Sequence, residues 1–272
     1  MNISIIIRSR NEPTLSVLYK QMLRQKSSKD SLIVLNDPVP FEEKLRQSFQ
    51  VALKNNHPYA VIIDADIIVC YNFIKKVKKI LSMLPTEDMG FGLKVLDRFY
   101  GYPKYRGIHI YNVCMLDQAT QYIPLTGQEM RPESFVKEQM ALNGNKWNND
   151  LSKKAYGIHD YFQHYEDIFC KISIRAHRSK NDIEYLMERF NKYHDTDLFV
   201  AAKALEYGLN LNQNSIKNDR EIFHEVYNKI FPSYHKLIPS IPLYIKLAPE
   251  LFVYYQIFFY KLKLFFKTHI YK

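Results

Sequence analysis

Cysteine is scarce in this chain of 272 residues: Cys70, Cys114 and Cys170 lie far apart, two of them in apolar surroundings. An odd, sparse set without metal-type spacing excludes a disulfide framework and predicts a reducing compartment with buried thiols. Long apolar runs are missing as well. No stretch reaches the roughly 20 apolar residues that a spanning helix needs. The opening MNISIIIRSRNE has neither the basic lead-in nor the apolar length of a signal peptide. These absences predict a cytoplasmic protein. Acidic residues are outnumbered, 28 against 38 basic ones, giving a net charge of +10 and a pI near 9.2. Such a balance suits an anionic partner: a nucleotide, a phospholipid surface or a nucleic acid. There is no internal repeat, low-complexity tract or clear linker. A hydrophobic fraction of 47% excludes a disordered chain, and the length suits one large α/β domain with additions or two small ones.

What is present centres on Tyr59–Cys70, YAVIIDADIIVC. An apolar, β-branched run is interrupted by Asp64 and Asp66 and resumes at once, which reads as a buried parallel strand carrying acids at its end. Residues i and i+2 of a strand share a side, so both carboxylates can converge on one point. Two such charges in apolar surroundings repel unless a cation lies between them. All-oxygen ligands suit a hard divalent ion, Mg²⁺ or Mn²⁺, whose other ligands are usually phosphate oxygens. The plainer reading is an acidic turn with no ion.

The chain leading to this stretch alternates. Ile3–Arg8 and Ser31–Leu35 read as strands, the second closed by the turn Asn36-Asp37-Pro38. Ser16–Gln25 and Phe41–Asn55 have helical spacing. In the latter, Phe41, Leu45, Phe49, Ala52 and Leu53 form one stripe, while Glu42, Glu43, Lys44, Arg46 and Lys54 are expected to face solvent. Strand–helix alternation predicts right-handed βαβ units and a parallel sheet, with ligands beyond the carboxyl ends of its strands. Arg8–Glu12, Asn36-Asp37 and the two aspartates all fall at that edge.

Beyond it, Phe73–Leu84 reads as an amphipathic helix whose lysines form a solvated face. Gly90–Leu96 and Ile108–Met115 read as strands flanking a loop, Arg98–Gly107, whose Tyr, Arg and Lys content could hold a sugar or phosphate, or simply pack. Arg131-Pro132-Glu133 opens a helix, and LNGNKWNND reads as an exposed loop. Gly157-Ile158-His159-Asp160 leads into another helix, with Asp160 as its N-cap, Tyr161, Tyr165, Ile168, Phe169 and Ile172 as its buried stripe, and Glu166-Asp167 outward. Asn181–Gly208 continues helical to a terminal glycine. From Ser233 onward, six lysines face the single acid Glu250, and Glu250–Lys267 reads as one aromatic helix. Too short and too charged to span, it suits the headgroup layer of an anionic membrane; burial on the domain or in a dimer seam is the alternative.

Three stretches resemble a known family. SIIIRSRNEP is similar to the opening strand of GT-A nucleotide-sugar glycosyltransferases, of the family-2-like, bacterial surface-glycan type. IVLNDP resembles their second strand, and EEKLRQSFQVALKNNHPYAVIIDADIIV the helix and strand leading to the Asp-x-Asp motif. The resemblance covers residues 1–115 and extends loosely to GIHD. It implies a GT-A-like, Rossmann-type, mostly parallel sheet flanked by helices: a catalytic domain over residues 1–232, then a helical C-terminal extension over 233–272. Carried over by residue, Asp64, Asp66 and His159 would hold Mn²⁺ or Mg²⁺. Arg8, Asn11, Glu12, Asp37, Lys44 and Asp64 would border the nucleotide sugar. Two departures stand out: Asn36-Asp37 replaces the usual pair of acids, and no Glu-Asp motif lies between Asp66 and residue 150. The catalytic base is left with Asp160 and Asp167 as candidates.

The activity implied is hexosyltransferase-like transfer from a nucleotide sugar to a glycan or lipid-linked acceptor in bacterial cell-surface polysaccharide synthesis. The protein would be peripheral on the inner membrane face and bind no nucleic acid. Three rivals remain. A nucleotidyltransferase acting on sugar phosphates would normally carry a glycine-rich loop after the first strand, and SRNEPTLS has no glycine. The others are a nucleic-acid-binding module and a non-catalytic membrane-surface protein.

Overall fold

The computed structural model describes residues 1–83, 87–149, 154–178, 180–192, 195–211, 220–232 and 241–269. They form two compact units, Met1–Tyr161 with Ile241–Lys272, and Phe162–Ser240. The chain therefore divides at Tyr161/Phe162 and Ser240/Ile241. The boundary expected at 232/233 adjoins residues 233–240, which lie outside the described residues.

The first unit opens with β1 (Ile3–Arg8), α1 (Leu15–Gln25), β2 (Ser31–Leu35), α2 (Phe41–Asn55) and β3 (Tyr59–Asp64). β1 is buried along its whole length because it is flanked on both edges, pairing in parallel with β2 and with β3. Arg8 stands opposite Leu35 on one side and Asp64 on the other, so three strand ends share one rim. α2 seals one face of these strands by seating Leu45, Phe49 and Ala52 against Ile6, Ala60 and Ile62. Full burial of a side chain such as Phe49 contributes about 2–3 kcal/mol. The helix starts with Glu42 and Glu43 where its dipole favours negative charge, and stops at Asn56 in the left-handed region (φ 53°). Glu42 and Lys44, expected in solvent, are buried: Glu42 Oε1 accepts from the Gly127 amide, and Lys44 Nζ donates to the Asp37 carbonyl.

Tyr59–Cys70 is not one strand. β3 stops at Asp64, Ala65–Asp66 turn, and β4 (Ile67–Val69) joins the sheet elsewhere. After α3 (Phe73–Leu81) come β5 (Gly90–Asp97), β6 (Pro103–Asn112), α4 (Leu116–Gln121), α5 (Pro132–Leu142), β7 (Trp147–Asn149) and β8 (Gly157–His159). The sheet runs β2-β1-β3-β6-β5-β8-β4, with β7 beside β5. β5 pairs in parallel with β7 and β8, while β3–β6, β5–β6 and β4–β8 are antiparallel. The fold is α/β, a mixed, mostly parallel sheet flanked by helices. Cys70 is buried, Cys170 intermediate and Cys114 exposed, so the thiols are not uniformly inside.

Three other segments differ from expectation. The second half of Arg98–Gly107 belongs to β6, and Val113–Met115 is a 3-10 turn. LNGNKWNND is not wholly loop: Trp147 begins β7 and packs its ring against His109 and Tyr111, at centroid distances of 5.7 and 5.0 Å. At the chain's end, α10 (Leu243–Leu247) and α11 (Pro249–His269) belong to this first unit, with α11 packed on β4 and β8.

The second unit holds α6 (Tyr165–Arg178), α7 (Ile183–Lys192), α8 (Thr196–Asn210) and α9 (Arg220–Ile230). Phe169 centres its core, meeting the rings of Tyr207, Tyr227 and Phe231. Gly208 does not end α8. It lets α6 approach, since a Cβ there would stand 2.4 Å from the Ser173 carbonyl oxygen.

Candidate active site

At the shared strand-end rim, two groups of charged side chains meet the chain. The first is built where β3 leaves the sheet. Asp66, in the turn, faces β8, the partner of β4, and Ile67 stands opposite His159. His159 Nε2 lies 3.4 Å from Asp66 Oδ1, and its Nδ1 lies 3.0 Å from Asp97 Oδ2 and 3.3 Å from Asp160 Oδ2. Asp66, His159 and Asp160 are all buried, and each offers one ligand atom within 4.8 Å of the others.

Asp160 reaches this position because it is not in a helix. Its φ of 64° is left-handed, a conformation that only Asp, Asn and Gly tolerate readily, and its amide donates to the Asp66 carbonyl. The following helix, α6, starts only at Tyr165, so Asp160 is not its N-cap.

Asp97 completes the surroundings. Its Oδ1 accepts from the Phe99 and Tyr100 amides, fixing the β5–β6 turn, while Oδ2 faces both His159 and Arg106 Nε, the latter at 3.5 Å. Burial by itself would lower the His159 imidazole. The Asp160 and Asp66 carboxylates, with hydrogen bonds to Asp66 and Asp97, override it and lift the group to about 10. One imidazolium thus offsets several carboxylates where a divalent cation would do so more fully. The donor set of carboxylate oxygens and an imidazole nitrogen fits Mn²⁺ or Mg²⁺.

Asp64 belongs to the second group. Its Oδ1 accepts from Arg8 Nε at 2.8 Å, and Arg8 Nη2 lies 3.7 Å from Glu133 Oε2. The guanidinium also stacks on Phe41, 5.1 Å from the ring centre. Glu133 further accepts from the Tyr111 hydroxyl and has His109 Nε2 at 3.2 Å, while Lys137 Nζ donates to His109 Nδ1 at 3.0 Å. The Lys137 bond requires a neutral His109, and burial indeed lowers it to about 3. Burial likewise raises the Asp64 carboxyl; Arg8 opposes this, Asp66 and Glu133 add to it, and the group reaches about 6. Gly107, at φ 59°, keeps the approach to Asp64 open, because a Cβ there would lie 3.1 Å from Asp64 Oδ2.

No known family profile matches the chain, and no curated protein matches its sequence. Solved structures do resemble its fold. The catalytic domain of Drosophila β1,4-galactosyltransferase 7 shares 17% identity over 58% of this chain and 68% of that one, with a TM-score of 0.40. Staphylococcus aureus TarS 1–349 shares 13% over 92% and 79%, with a TM-score of 0.42. A cytidylyltransferase from Leptospira borgpetersenii shares 13% over 86% and 95%, with a TM-score of 0.39. Another structure of the Drosophila enzyme, a mutant, holds manganese, UDP-Gal and xylobiose. These likenesses concern shape; the chemistry is read from this chain's own residues.

The remaining rim residues lie at the ends of β1 and β2. Asn11, also left-handed at φ 65°, is joined to Asn36 by a bond from Asn36 Nδ2 to Asn11 Oδ1 of 2.7 Å. Glu12 Oε2 accepts from the Ser9 hydroxyl and the Arg10 amide. Asn11, Glu12, Pro13, Tyr19 and Val34 line a groove of about 400 Å³. Asp37 is exposed above buried Lys44. Asp167 lies on α6 in the second unit and is not one of the residues that the first unit gathers. Asp97, His109 and Glu133 had no signal in the sequence beyond Glu133's place in a helix start.

Proposed function

We propose that the protein is a metal-dependent glycosyltransferase that moves a hexose from a nucleotide-sugar donor to a glycan or lipid-linked acceptor in bacterial cell-surface polysaccharide synthesis, at the inner face of the cell membrane. The observation that carries this reading is the grouping of Asp66, His159 and Asp160 beside the strand ends that present Arg8 and Asp64. A divalent cation there would offset the charge gathering on a departing nucleoside diphosphate without proton transfer.

The chain's own residues do the rest. Asp66, His159 and Asp160 hold the cation. Arg8, fixed between Asp64 and Glu133, keeps the Asp64 carboxylate oriented at the rim, where it can meet the donor's sugar–diphosphate portion. The groove beside Asn11 and Glu12 takes the nucleoside, with Asp37 at its edge and Lys44 bracing the Asp37 loop from beneath. This reading moves Asp160 from candidate base to cation ligand; Asp167, in the second unit, is not assigned a role in it.

A nucleotidyltransferase would need free backbone N–H groups in the loop after β1 to cradle phosphates. Here the Arg10 amide is taken by Glu12, and the Asn11 amide by Ser9 Oγ and Asn36 Oδ1. That loop is closed on itself, which favours glycosyl transfer. The test is titration with Mn²⁺ followed by a panel of nucleotide sugars, reading heat of binding and release of nucleoside diphosphate. A donor that binds only with Mn²⁺ and is slowly hydrolysed supports the reading; binding of none, with or without metal, refutes it.

A further inference from the structure

We infer that the outer face of α10 and α11 docks the chain on an anionic lipid bilayer. α11 turns one side to the sheet: Val253 is fully buried, and the Phe252 ring meets Tyr161 at 5.9 Å. Its other side is bare. Leu251, Tyr254, Tyr255, Phe258 and Phe259 are 46–62% exposed, and at 3.6 residues per turn they form one continuous stripe. α10 adds Leu243, Tyr244 and Leu247, each exposed by 64–70%. An apolar patch of this extent on a soluble surface marks an interaction site.

Charge identifies the partner. Lys246, Lys261 and Lys263 are exposed, and Lys261 and Lys263 flank the aromatic stripe on opposite sides. No acidic residue occurs from Leu251 to the end of the chain, and Glu250 is engaged by Arg24 at 3.6 Å. Rings inserted at headgroup depth with lysines reaching outward to phosphates are the pattern of an interfacial helix. A second copy of the chain would set the same lysines against one another with no carboxylate to answer them. α11 carries Lys261, Lys263 and Lys267 within its apolar sequence, and no described helix is long and apolar enough to cross a membrane.

The face lies close to the chemistry. α11 packs on β4 and β8, the strands that follow Asp66 and end in His159, and Tyr161, the residue after Asp160, touches both Phe252 and the Arg98 guanidinium. A docked α11 therefore sets the candidate cation group beside the lipid surface, and the acceptor it serves is one held in the bilayer. The docking stands by itself; the statement about the acceptor rests on the glycosyl-transfer reading.

The test is flotation of the full-length protein with vesicles of phosphatidylcholine alone or of equal parts phosphatidylcholine and phosphatidylglycerol. The expected result is flotation with the anionic vesicles only, at least tenfold weaker in K246E/K261E and abolished in F258S/F259S. Mn²⁺ affinity measured on the same preparations should match the parent protein, showing that the variants are folded. Equal flotation of parent and variants overturns the inference. So does an absence of vesicle binding with a dimer that F258S/F259S dissociates, which would assign the face to a second copy. Vesicle binding without donor binding would sink the glycosyl-transfer reading and spare the docking; donor binding without vesicle binding does the reverse.

Discussion

Asp64 and Asp66 sit two residues apart yet do different work, and the difference is set by their neighbours. Asp64 is claimed by Arg8, Asp66 by His159 and the residue after it. Removing a carboxylate from the group around Asp66 should relieve repulsion rather than break a bond that holds the fold. Asp66→Asn and His159→Gln are expected to weaken Mn²⁺ binding at least tenfold and turnover at least a hundredfold. Asp66→Asn should melt at or above the parent, and metal-free His159→Gln below it, because the imidazolium it loses offsets the carboxylates around it. Calorimetric titration and thermal melts check this; unaltered Mn²⁺ affinity in both variants would remove the cation site. Arg8 is the opposite case. Arg8→Met leaves the partly buried Asp64 and Glu133 with no guanidinium between them, and stripping one partner from such a set costs about 3 kcal/mol, the lower end for a buried pair. Arg8→Lys should recover only part of that, because an ammonium cannot reproduce the fork that reaches both acids; urea unfolding distinguishes the three proteins. At this scale the aspartates were legible because two acids inside an apolar run have few structural explanations. Glu133 was not, since nothing local to Arg131-Pro132-Glu133 reveals that its helix start packs against the end of a strand more than a hundred residues earlier.

Between elements, Asp30 ties three parts of the first unit together. Its carboxylate is buried in the β2 approach, accepts from the Ile3 amide and the Ser27 amide and hydroxyl, and meets Lys78 Nζ of α3 at 2.7–2.8 Å. Burial would raise its pKa, but the bonds from Lys78, Ser27 and Ile3 outweigh it and hold the group below the ordinary carboxylate range. A depressed folded pKa means that the stabilisation is complete above the unfolded value of about 3.9. It is lost as pH falls through the lower, folded value. Asp30→Ala should thus cost about 2–3 kcal/mol near neutrality, the scale of a charged hydrogen bond in a buried site. The gap to the parent should narrow in acid. Urea melts at neutral pH and near pH 3 measure both limbs; a constant gap would mean that Asp30 acts through packing alone. The elements themselves were legible where hydrophobic period changes along the chain: α2 and the strands before it have the expected limits. The β3–β4 break was not, because Ile62 to Val69 stays apolar on both sides of the turn and periodicity registers no gap. Trp147 was misread for a related reason, its polar neighbours hiding a strand that exists only through its pairing with β5.

For the whole molecule, the α/β alternation of the first 70 residues was enough to predict a parallel sheet, since a helix returns the chain to the same edge whether the next strand is a neighbour, as from β1 to β2, or lies beyond one, as from β2 to β3. The order beyond β3 was not, because β6, β5, β8 and β4 are placed by pairings between segments that can be ninety residues apart. The fold gathers Asp66 and His159 from that long-range part, so cation and donor binding should report on the integrity of the entire first unit. A ligand that binds only the folded chain at a hundred times its dissociation constant stabilises it by about 2.7 kcal/mol. For a chain of this size that is roughly 5–10 °C in melting temperature. Mn²⁺ with a correct nucleotide sugar should give such a rise in the parent protein, and the same rise from a lower baseline in Asp30→Ala, whose defect is remote from the rim. Asp66→Asn should melt normally and show no rise. A shift that persists in Asp66→Asn would place the ligand elsewhere, and one lost in Asp30→Ala would mean that the rim is shaped by the β1–α3 tie instead of being built independently of it.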